Sequence, residues 1–70
     1  METAQTIAAK ANHYSTVAHD TWKLGALSAS LFAEVTALCL KATTEVRDYG
    51  DVAAAARIID EAAELLDFVS

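Results

Sequence analysis

Arg47-Asp48-Tyr49-Gly50-Asp51-Val52 divides the second half of the 70-residue chain into two helical runs. A glycine just past an apolar-periodic run is the preferred residue for a left-handed helix C-cap. The aspartate after it can accept backbone N–H bonds as the N-cap of the next helix. So short a connection forces its two helices into an antiparallel hairpin.

Working back from the turn, Leu24, Leu27, Leu31, Val35, Leu38, Ala42, Val46 and Tyr49 recur at steps of three and four. That is the pattern of an amphipathic helix. Phe32 and Cys39 widen the stripe, while Lys23, Ser30, Glu34, Lys41, Glu45 and Asp48 fall mostly on the opposite face. With Asp20 or Thr21 as N-cap, the spacing predicts one long helix over about 21–48, with Gly25 inside its first turns. Beyond the turn, Val52, Ala55, Ile59, Ala62, Leu66 and Val69 form one stripe of a helix over about 52–69, and Ile58, Leu65 and Phe68 an adjacent one. The combined arc exceeds the ~100° that covers a single partner helix. A two-helix hairpin cannot bury both stripes on itself, so the expectation is a two-fold dimer whose hairpins pair into a four-helix bundle. Its interface would comprise Ile58, Ile59, Ala62, Leu65, Leu66 and Val69, and aspartate at Ile59 or Leu66 would dissociate it.

The first nineteen residues read less plainly. Ile7, Ala8, Ala11, Tyr14 and Ala18 fit a helical stripe, but Asn12 through Val17 have poor helix propensity. A third short helix, an extended arm or a continuation of the long helix are all compatible. The preferred reading is a helix around 3–13 followed by an irregular link. The expected organisation is thus a single all-α domain over 1–70, with an N-terminal segment (1–19) and a helical hairpin (20–70).

Composition narrows the function classes. There are five Lys and Arg against ten Asp and Glu, a formal charge of −5, which disfavours a phosphate-backbone binder. Lys10, Lys23, Lys41, Arg47 and Arg57 are scattered, so a dimeric nucleic-acid regulator or antitoxin-like protein, the alternative reading, would need the fold to gather them. No apolar run reaches the ~18 residues that span a bilayer. The first residues lack the basic and apolar regions of a secretory signal, and Cys39 is the single cysteine, so a reducing cytoplasm is the expected location. Chains this short bury only about 60% of the surface that their unfolded form exposes, which again favours association. Sixteen alanines supply helix propensity more than burial.

No residue pattern points to catalysis, and no cofactor is expected. His13 and His19 lie six apart, a spacing that separates them on a helix, and no Glu-x-x-His, His-x₃-His or Cys-x₂-Cys occurs to suggest a metal. Cys39, between Leu38 and Leu40, reads as a small buried hydrophobe and not as a nucleophile. No Gly-x-Ser-x-Gly elbow or Gly-rich phosphate loop is present. Two features suit protein recognition instead. Asp60, Glu64 and Asp67 make an acidic stripe at i, i+4 and i+7, which a basic partner could meet or which simply keeps an apolar chain soluble. Trp22 either caps the end of a small core or, with Tyr14 and His19, belongs to an exposed aromatic patch. The resulting expectation is a small acidic, non-enzymatic regulatory or adaptor protein, an inhibitor among the options, that binds another protein through Trp22, Asp60, Glu64 and Asp67.

Tyr14-Ser15-Thr16-Val17, Leu24 through Leu31 with its Ala29-Ser30 pair, and Ala62-Ala63-Glu64-Leu65-Leu66-Asp67 resemble a group of short uncharacterised bacterial helical-hairpin proteins. The likeness covers about residues 14–69 and rests on alanine-leucine helices. His19-Asp20 stands where that group tends to have a glycine. The resemblance implies two amphipathic helices after a short extended lead-in, and it implies no activity.

Overall fold

Thr3 opens the first helix. Its Oγ1 accepts from the Thr6 N–H at 3.2 Å, and its own N–H donates to Thr6 Oγ1 at 2.8 Å, a reciprocal capping box. The computed structural model describes residues 2–69, with side chains through Asp67, so the places of the Phe68 and Val69 side chains lie outside the described residues. Helix α1 runs Ala4–Lys23, α2 runs Ala29–Tyr49 and α3 runs Val52–Val69, and among the described residues there is no strand. Each helix packs on the other two.

α1, at 20 residues, is nearly twice the expected length. Residues 14–17, expected as an irregular link or an extended lead-in, are helical. The weak formers are stabilised within the helix and by packing. Thr16 Oγ1 donates to Asn12 O at 2.9 Å and Thr21 Oγ1 to Val17 O at 2.7 Å, so both hydroxyls are satisfied one turn back. Ile7, Ala11 and Ala18 are buried along one face, with Tyr14 and Val17 packed beside them. Tertiary burial outweighs propensity differences of a few tenths of a kcal/mol per residue.

The long helix expected over 21–48 is two helices with a break between them. Gly25 is not inside a helix. It has φ +79° and closes α1, its N–H bonding Trp22 O at 3.0 Å and the Ala26 N–H bonding Thr21 O at 3.0 Å. That pair of bonds is the Schellman arrangement. Three residues later Ser28 Oγ accepts from the Leu31 N–H at 3.1 Å and starts α2. Asp20 and Thr21, expected as N-caps, lie in the last turns of α1, and the expected boundary at 19/20 falls inside that helix. Leu24, placed by spacing on the buried stripe, is 85% exposed in the connection.

The turn after α2 follows the sequence reading. Gly50 is left-handed at φ +64° and Asp51 Oδ1 accepts from the Ala54 N–H at 3.0 Å. Tyr49, however, is 75% exposed at the helix end.

The core consists of Ile7, Ala11, Ala18, Leu27, Val35, Cys39, Ala42, Ala55, Ile59, Ala62 and Leu66. Five of these eleven are alanines, so close helix approach and not side-chain bulk fills the interior. Ile7, Val35 and Ile59 are the largest fully buried side chains. The premise that only a second chain could cover the wide stripe of the last helix is corrected here, because α1 covers part of it.

Candidate functional site

The six residues expected at a dimer interface separate into two groups. Ile59, Ala62 and Leu66 are buried in the chain's own core, at 1%, 0% and 8% exposure. They are not available to a second chain without unfolding the first. Ile58 and Leu65 are half-buried on the flank of α3 that faces α2, and Val69 lies outside the described side chains.

Next to that flank, Glu34 and Leu38 of α2 and Glu61, Glu64 and Leu65 of α3 line an open cleft of about 450 Å³. Its two leucines are bordered by three carboxylates. None of the three joins an ion pair among the described residues, where the pairs are Glu2–Lys10, His19–Asp20 and Arg47–Asp48.

The expected acidic stripe of α3 divides in the same way. Glu64 belongs to the α2 side, whereas Asp60 lies close enough to Lys10 of α1 to raise its pKa slightly, beyond the larger effect of Glu2. Asp67 lines a different cleft of about 410 Å³ with His13, Tyr14, Val17 and Thr21 of α1, Ala26 of the connection, and Ala63 and Leu66. A helix wheel places Asp60, Glu64 and Asp67 on one arc of α3, with Glu64 lining the cleft toward α2 and Asp67 the cleft toward α1.

Trp22 lies at the C-terminal end of α1. Its ring stacks on Phe32 of α2, centroids 4.8 Å apart and planes 6° from parallel, and His19 approaches both rings at 6.0 Å. Trp22 nevertheless stays 41% exposed, and Leu24 beside it is 85% exposed. The indole thus packs on Phe32 while part of its surface stays open to solvent. Tyr14, expected as part of an aromatic patch, instead pairs with His13 at 5.4 Å. Phe32 and Leu24 were missed as members of this corner because the helical stripe assigned both to the buried face.

Cys39 is buried, and burial pushes its thiol above the ordinary pKa, the opposite of what a nucleophile needs. It borders a shallow groove between α1 and α2 with Ala8, Asn12, Ser15, Thr36, Leu40 and Thr43, where Thr36 Oγ1 is buried with no hydrogen-bond partner. Thr43 and Thr44 bond the carbonyls of Cys39 and Leu40 at 3.0 Å, so of the three threonines of α2 only Thr36 leaves its hydroxyl unpaired. No group of three or more His, Cys, Asp and Glu side chains suited to a metal ion occurs among the described residues. Of the five basic residues, Lys10 pairs with Glu2 and Arg47 with Asp48, and the set is divided among all three helices. No helix among the described residues is long and apolar enough to cross a membrane. No protein-family model matches the chain, and neither a curated protein nor a solved structure is significantly similar to it.

Proposed function

We propose that this chain is a small non-enzymatic regulatory or adaptor protein of the cytoplasm that binds another protein at its Trp22–Leu24 corner. The observation that carries this reading is the exposure of two large apolar side chains, Trp22 and Leu24, two residues apart at the C-terminal end of α1. A tryptophan stacked on Phe32 has little rotamer freedom left to lose on binding, which favours its use as an anchor. In the same reading α2 and α3 act as an antiparallel hairpin, and two chains join by these hairpins into a four-helix bundle that presents two corners.

The test is capture of a stoichiometric protein partner from host lysate on tagged wild-type chain, Trp22→Ala and Leu24→Ser. Both variants are expected to lose the partner at least tenfold while keeping wild-type helicity by circular dichroism. Undiminished capture by both folded variants removes the corner from consideration.

A further inference from the structure

We propose that the cleft between α2 and α3 is a docking groove for a basic amphipathic helix of a protein partner. An apolar side chain of that helix enters between Leu38 and Leu65. Its lysine or arginine side chains meet Glu34 on one rim and Glu61 and Glu64 on the other. The groove shares no residue with the Trp22–Leu24 corner, so the two readings are tested independently.

The shape of the cleft and the charge of its rim carry the proposal together. Leu38 of α2 and Leu65 of α3, both half-buried, are its apolar residues, and the exposed Glu34, Glu61 and Glu64 border them around a volume of about 450 Å³. A groove between two packed helices takes a third helix by the ridge of apolar side chains along one of its faces. The rim sets the sign of that helix. Glu34, Glu61 and Glu64 make no ion pair among the described residues. Glu61 and Glu64 stand about one turn apart on α3, where like charges repel. Incoming cations relieve that repulsion and displace no internal partner. Lys41 and Arg57 lie one turn nearer the Gly50 turn, but Glu45, Asp48 and Asp51 accompany them there, so the face as a whole stays negative.

The charge of the whole chain acts in the same direction. At −5 it draws a basic segment toward the surface, and a cleft with apolar walls focuses that attraction. Complementary charge steers the encounter and fixes the register, while the leucines supply the burial. A second copy joined through α2 and α3 would cover the same cleft. The two occupants therefore exclude each other.

The experiment measures, by fluorescence anisotropy, binding of a labelled leucine–lysine peptide of about fourteen residues, roughly four helical turns, with its leucines on one face. A second peptide has serine for every leucine, at the same charge. The chains are wild type, Glu61→Lys/Glu64→Lys, and Asp20→Lys/Asp60→Lys, which changes the net charge equally but away from the cleft. All four positions are exposed, so circular dichroism should be unchanged. The wild type is expected to bind the leucine–lysine peptide in the micromolar range. Glu61→Lys/Glu64→Lys should weaken binding at least tenfold, Asp20→Lys/Asp60→Lys less than threefold, and the serine peptide should bind at least tenfold less tightly than its leucine counterpart. Equal weakening by both pairs of substitutions, or equal binding of the serine peptide, reduces the effect to general attraction by an acidic chain and overturns the groove. Absence of binding at about 100 µM overturns it as well, and a dimer by sedimentation would then make a second copy the occupant.

Discussion

At Glu2 the carboxylate accepts from Thr6 Oγ1 at 2.7 Å and pairs with Lys10 one helix face along, so it joins the first capping residues to the body of α1. Lys10 first, then Thr6, hold the Glu2 carboxyl below its ordinary pKa of 4.5, and Glu2 in turn raises the Lys10 ammonium. A lowered carboxyl pKa in the fold means stabilisation that is complete above the ordinary value and is lost as pH falls through the depressed one. The Lys10 contribution runs the other way, present below the ordinary lysine value and lost as pH rises through the raised one. The melting temperature of wild type should therefore exceed that of Glu2→Gln at pH 7, with the gap closing as the pH is lowered from 5 to 3. Because both side chains remain partly open to solvent the gap is small, and a gap that persists unchanged to pH 3 would show that the pair does not stabilise the fold.

Element by element, the two glycines mark what the sequence disclosed and what it concealed. Gly50 was legible because an unbroken stripe led to it and Asp51 followed as a ready cap. Gly25 performs the same task at the end of α1, yet Leu24 and Leu27 fall on the helical spacing of α2 when the stripe is extended backwards. Periodicity alone cannot register that Leu24 faces solvent in a connection, nor that Ser28 restarts the helix. The weak formers at residues 12–17 compounded this, since their helix is decided by the burial of Ile7, Ala11 and Ala18 against the rest of the fold. A Cβ added at Gly25 meets nothing within 4 Å, so alanine there incurs only the left-handed backbone penalty. Gly25→Ala should reduce stability by about 1–2 kcal/mol in denaturant titration. Ser28→Ala should cost about 1 kcal/mol through the lost N-cap.

For the molecule as a whole, α1 alters the meaning of the apolar stripes. The surplus hydrophobicity of α3 was legible, but whether a third helix or a second chain covered it was not, because stripe width counts area and not its partner. Ile59 and Leu65 now differ in kind. An unpaired carboxylate in place of Ile59 should cost at least 3–5 kcal/mol, a large share of the roughly 4–10 kcal/mol available to 70 residues. Ile59→Asp should therefore lose its helical circular dichroism signal. Leu65→Asp, on the half-buried flank, should stay helical. Equal unfolding of both would refute the distinction.

The brevity of the connections has a kinetic consequence. Five residues, 24–28, join α1 to α2 and two join α2 to α3, so helices adjacent in sequence are also adjacent in space. Only the contact of α1 with α3 requires the chain to close over an intervening element. Low contact order of this kind sets folding in the microsecond-to-millisecond range. A chain that closes so quickly leaves its alanine-rich interior uncovered only briefly after synthesis.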